Sequence, residues 1–176
     1  MARALAVLAE LSAFPRRFAR QIGAIPVDRL CWSPESWAGV PGEPFTPIEH
    51  ACHLRDIEVD GYHHRIRRTL QEERPTLVSL DGLTMARERD YASADLGATL
   101  EEFAQARAIT LELLAGLDEA AFDRRADFEG YGQVTVRSLV HLLSSHDEQH
   151  LAGLQWLLGH MCAKGSGEEG GWSVRA

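Results

Sequence analysis

No apolar run in the sequence approaches the roughly 20 residues that a helix needs to cross a bilayer. The opening MARALAVLAELSAFPRRFARQ carries charges throughout, so it reads as neither a span nor a signal peptide; a cytoplasmic location with no membrane partner is expected. Cysteine is scarce. Cys31, Cys52 and Cys162 are far apart with no CxxC pair, which excludes a disulfide framework and a cysteine zinc site and suits a reducing compartment. Each reads as a small buried side chain, with Cys52 singled out by its place beside His53. Basic residues are outnumbered 18 to 26, for a net charge of −8, and the arginines are scattered; nucleic acid is therefore not an expected partner. Strictly alternating runs of Val, Ile and Thr are nearly absent, which argues against a β architecture. There is no P-loop, no GxGxxG opening a helix after a strand, and no GxSxG elbow.

What is present is helical periodicity in a chain of 176 residues, 45% hydrophobic and 25% charged, the usage of one ordinary globular domain. Four long helices are expected. The first covers about residues 3–21, with Pro15 inside it predicting a kink or a break into two pieces. Residues 23–46 hold Pro26, Pro34, Pro41 and Pro44 with Gly39 and Gly42, a loop that Trp32 and Trp37 should pin. Thr46 caps a second helix running to about residue 71, with Pro47 at its first position and Glu49 in its first turn. Its apolar stripe is Ile48, Ala51, Cys52, Val59, Tyr62, Ile66 and Leu70; His53, Asp56 and Asp60 share the adjacent face.

Pro75 and the Asp81–Gly82 turn signal mark residues 72–94 as a connection. Ser93 or Asp95 caps a third helix ending near Gly116, and residues 118–132 read as a short helical turn followed by loop. Thr135 starts the fourth helix, which continues to about residue 163. The bundle is thus expected over 1–163, with a flexible glycine- and charge-rich tail, KGSGEEGGWSVRA, over 164–176.

Chemistry concentrates on the fourth helix. At about 100° per residue, Leu139, Leu142, Leu143, His146, His150, Gly153, Leu154, Leu157 and Met161 fall on one face. His141, Glu148 and Gln155 fall on the other and read as solvated. A single histidine on an apolar face is ordinarily a core residue bonded to a carbonyl. Two rings one turn apart need two sets of partners or one shared partner, and a divalent metal is such a partner. The second helix offers His50, His53, His63 and His64 as a third ligand, and periodicity alone does not choose among them. His53 lies near the stripe with Asp56 and Asp60 on its side as acceptors for a ring N–H; His63 and His64 read as a solvated or capping pair near Arg65, Arg67 and Arg68. The segment HDEQH differs from the peptidase motif HExxH, because Asp147 stands where that motif has its glutamate base and Glu148 points off the stripe. Peptidase chemistry is disfavoured.

These features together resemble the DinB/YfiT-like superfamily of bacterial metal proteins. The resemblance rests on EHACHLRDIEVDGYHHRIRRTLQEE in the second helix, ERDY at 88–91, and YGQVTVRSLVHLLSSHDEQHLAGL in the fourth, and spans most of residues 1–160. It implies an all-α four-helix bundle with a long crossover connection and often a homodimer. It also implies one ligand from the second helix and HxxxH from the fourth, which map onto His53, His146 and His150, and a divalent metal, zinc or nickel. Some relatives are transferases or isomerases that use a low-molecular-weight thiol such as bacillithiol, mycothiol or glutathione on a small-molecule substrate. A non-catalytic metal-binding bundle, using its ion for stability or partner binding, is the alternative.

Overall fold

The computed structural model describes residues 2–165. Four helical rods dominate: α1 (Ala2–Ile22), α2 with α3 (Pro47–Asp56 and His63–Gln71, joined by a π-helical segment, Ile57–Tyr62), α5 (Leu96–Leu114) and α7 (Val136–Gly165). Between the second and third rods lies the short helix α4 (Gly82–Glu88), and before the fourth lies α6 (Glu119–Phe122). α1 packs on α5 and α7, and α2 packs on the same two. The first two rods are therefore diagonal partners, which is why the connection over 23–46 must be long. Among the described residues no helix is long and apolar enough to cross a membrane. The expected tail lies, from residue 166 onward, outside the described residues.

Pro15 does not divide α1, which is one helix. Proline lacks the N–H that would bond the carbonyl four residues back, leaving the Leu11 oxygen free. Arg107 Nη1 donates to that oxygen at 3.0 Å. Phe14 and Phe18, flanking the proline, are buried and hold the helix against its neighbours.

The second rod departs from even spacing at Ile57–Tyr62. There the His63 N–H bonds the Glu58 carbonyl, an i→i+5 step that inserts an extra residue into the turn. The face rotates accordingly: Val59, expected in the stripe, is 41% exposed, whereas Ile57 and Glu58 are buried. Glu49 accepts from the Thr46 N–H at 2.8 Å and the Thr46 hydroxyl at 2.7 Å, fixing the start of α2. The Asp81–Gly82 pair starts a helix rather than a turn, since Asp81 accepts from the Thr84 N–H at 3.0 Å and caps α4. Asp95, not Ser93, caps α5, accepting from the Ala98 N–H at 2.7 Å.

A small sheet stands where loop was expected. β2 (Arg125–Phe128) and β3 (Gly132–Thr135) form an antiparallel hairpin, with Ala126 opposite Val134, and β1 (Thr76–Leu77) adds in parallel beside β2. Each strand is too short to show alternation, but Ala126, Phe128, Val134 and Leu77 are all buried. Gly130 and Gly132 take positive φ to close the turn. The hairpin runs directly into α7 and so fixes where that helix begins.

Two apolar cores fill the molecule. One joins Leu11, Ile48, Cys52, Ile66, Leu139 and Leu143 to the sheet; the other joins Phe14, Phe18, Leu54, Phe103, Leu151 and Leu154. On α7 the residues between these cores are His146, Asp147 and His150, so a polar layer crosses the middle of the bundle.

Candidate metal centre

The structure brings His53 of α2 together with His146 and His150 of α7. Nε2 of His146 lies 3.2 Å from Nε2 of His53 and 3.0 Å from Nε2 of His150. Among the described residues this is the one histidine, cysteine and carboxylate group compact enough to share an ion. Nitrogens bound to one divalent cation at about 2.0–2.1 Å in a tetrahedron lie roughly 3.3–3.4 Å apart, so the three side chains fit such an ion with little movement. Nδ1 of His53 and of His146 is buried with no hydrogen-bond partner. That leaves these rings no protein bonds beyond the cluster itself.

Electrostatics favour the ligand form. Burial pushes His53 down to about 4. It pushes His146 down to about 3, helped by His53, Arg65 and Arg107. His150 is likewise driven well below the ordinary histidine range, first by burial and then by the neighbouring rings. All three imidazoles are neutral at pH 7, the form that carries a lone pair.

The walls are apolar and tight. The Phe45 ring, from the crossover, packs 4.9 Å from the His53 ring and 6.0 Å from that of His150. Gly82, opening α4, lies so close that a Cβ there would stand 2.5 Å from Cε1 of His53. On the other side the Tyr62 ring is 6.3 Å from that of His146.

Asp56 and Asp60 do not orient His53. Asp56 accepts from Arg55 Nε at 2.6 Å, Arg89 Nη1 at 2.7 Å and the Tyr91 hydroxyl at 2.7 Å, and Asp60 pairs with Arg89. The ERDY segment, through Arg89 and Tyr91, thus ties the end of α4 to the second rod. Nor is His63 solvated: it is buried, with Nε2 2.9 Å from the Ala106 carbonyl oxygen, while His64 is exposed. Cys52 stays out of the site, its sulfur 3.9 Å from the Tyr91 carbonyl and the Thr99 hydroxyl, and burial pushes its thiol up to about 11. Cys31 and Cys162 are exposed rather than buried. His141 and Glu148 face outward as expected, and Glu148 pairs with Arg17 at 2.8 Å.

Two features of the polar layer go beyond what helical projection assigns: an arginine it does not single out, and a histidine it offers only as a candidate ligand. Arg107 sits on the apolar stripe of α5, four residues from both Phe103 and Leu111. It binds Glu58 and Asp147 through paired bonds of 2.7–2.9 Å, and the Thr110 hydroxyl also donates to Glu58. This arrangement removes Asp147 from the catalytic place a peptidase would need it in. The second feature is His50, one turn before His53, whose Nδ1 lies 2.9 Å from Nδ1 of His150.

The model of the DinB superfamily matches residues 3–154. Among solved structures the chain is similar to YfiT from Bacillus subtilis, described as a probable metal-dependent hydrolase with an unusual four-helix bundle topology. The likeness has a TM-score of 0.77 at 20% identity and covers 88% of this chain and 85% of that one. No protein of curated function matches the sequence.

Proposed function

The chain belongs to the DinB superfamily, and from that premise we propose that it is a metal-dependent enzyme in which His53, His146 and His150 hold a divalent cation, zinc or nickel. The observation that carries the reading is the convergence of three neutral Nε2 atoms, two of the separations being 3.0 and 3.2 Å. Three protein ligands leave a position for a reactant, the arrangement of catalytic rather than structural sites. When bound, the cation supplies Lewis acidity, polarising a carbonyl or making a thiol or water a nucleophile near neutral pH. The protein's own contribution is to keep the rings uncharged and to shield them. Phe45 and Tyr62 cover the rings, and the close backbone of Gly82 limits how far His53 can swing. Asp147 and Glu148 are both held by arginines, so neither is free to act as a peptidase base.

The reaction class we favour is transfer to, or isomerisation of, a small electrophile with a low-molecular-weight thiol as co-substrate, which the family resemblance supports. Hydrolysis, the activity ascribed to YfiT, is the competing outcome. Elemental analysis of the purified protein is expected to find a divalent metal, and His146→Ala and His150→Ala are each expected to lose it. Full metal retention by both variants under chelator competition would refute the site. Zinc- and nickel-loaded protein should then be screened for thiol transfer and for ester or amide hydrolysis. A non-catalytic bundle predicts neither activity, and a melting temperature that drops sharply with chelator.

A further inference from the structure

A neutral imidazole has one N–H and one lone pair, so a ring that offers Nε2 to a cation must carry its proton on Nδ1. For His53 and His146 no described group takes up that proton, since their Nδ1 atoms have no partner. His150 is different: its Nδ1 faces Nδ1 of His50 across 2.9 Å. At that distance one hydrogen lies between the two nitrogens, because two lone pairs would repel and two N–H groups would collide.

We propose that His50 is a positioning residue that accepts the Nδ1–H of His150, so keeping the Nε2 lone pair of His150 turned toward the ion. The inference rests on His150 being a ligand, as proposed above. If the hydrogen belonged to His50 instead, His150 would present an Nε2–H to the cluster and could not coordinate. Acceptance by His50 requires its own proton to sit on Nε2, the atom that has no other partner. The ring is fully buried and is held from two sides. Phe45 meets it edge-on with ring centres 5.7 Å apart, and α7 approaches at Gly153, where a Cβ would stand 2.7 Å from Cε1 and 2.9 Å from Nε2. A side chain at 153 would push His50 off His150, so one turn of α7 supplies both a ligand and the gap that seats its partner.

The test compares zinc affinity, by competition with a chromophoric chelator, in the full chain and four variants. His50→Phe removes the acceptor while keeping a ring, and a loss of about 10–100-fold is expected, the usual cost of removing such a partner. His50→Asn, whose side-chain oxygen falls near the former Nδ1, is expected to restore most of the affinity. Gly153→Ala keeps His50 but displaces it, and is expected to weaken zinc binding without impairing the helix. Long-range nitrogen–proton correlation spectra of the zinc-loaded wild type should show the His150 proton on Nδ1. Unchanged affinity in His50→Phe, or His50→Asn as weak as His50→Phe, overturns the proposal. Should the premise be at fault, His150→Ala would bind zinc as tightly as wild type, and the proposal falls with it.

Discussion

Arg107 is 1% exposed, and desolvating a guanidinium is costly unless its donors are all met. They are: Nε and one Nη2 hydrogen go to Glu58, the other Nη2 hydrogen and one on Nη1 to Asp147, and the last to the Leu11 carbonyl. Burial raises the Asp147 carboxyl to about 7 against the opposing pull of Arg107. Replacing Arg107 by Leu strands two carboxyl groups in the core and should destabilise the protein by about 3–5 kcal/mol in urea denaturation. Replacing all three, Arg107→Met with Glu58→Leu and Asp147→Leu, should recover most of that loss, because no unpaired group remains. If the triple variant is as unstable as the single one, the layer contributes packing rather than charge compensation. Gly82→Ala tests a different residue-level constraint. Its Cβ collides with His53, so zinc affinity should fall at least tenfold while the Asp81 cap, and with it α4, stays intact.

Along the second rod the π-helical turn decides which side chains reach the core. Spacing alone placed Thr46, Pro47 and the histidine-bearing face of α2 correctly, because that part of the rod is ordinary α-helix. Beyond Asp56 it placed Val59 in the apolar stripe, whereas the inserted residue turns Val59 outward and brings Glu58 into the core. The hairpin was illegible for another reason: strands of four residues owe their existence to docking against α7 and β1, not to a pattern of their own. On α7 an unbroken helix made the pair His146 and His150 plain. The partner on α2 was not plain from spacing, since both His50 and His53 face α7; the family resemblance implies His53, and the three-dimensional register puts His53 at the shared site and His50 behind His150. Deleting the partly exposed Val59 should convert the turn to α-helix while leaving the rod beyond it in place, because the wider turn accommodates its extra residue locally. Ile66 and Thr69 should stay in the core, and the melting temperature should fall far less than on deleting Arg67 from the α-helical stretch that follows, which turns what comes after it by about 100°. Equal losses for the two deletions would show that the π turn does not absorb the extra residue.

Across the whole bundle the four clustered histidines, His50, His53, His146 and His150, give stability a definite dependence on pH. His50 and His146 are held at about 3 and His53 at about 4, with His150 also far below the ordinary value of 6.5, in each case chiefly by burial. Above pH 6.5 these rings are neutral in folded and unfolded chains alike and their protonation favours neither. Below it the unfolded chain takes up protons that the folded chain refuses, so stability must fall with pH down to about 3, where the folded rings begin to titrate. Asp147 acts the other way: with its carboxyl raised from 3.8 to about 7, its contribution is full below 3.8 and is lost as pH rises through 7. Between 6.5 and 3.8 one group therefore opposes four, and the histidines prevail. For metal-free protein in chelator, the urea midpoint should decline steadily from pH 7 to pH 5. Saturating zinc should raise the midpoint by about the same amount at pH 7 and at pH 5, because the folded rings carry no proton for the cation to displace over that range. A midpoint that is flat or rising from pH 7 to pH 5 without metal would mean that the rings are already charged in the folded state, and a cluster of charged imidazoles could not hold a cation.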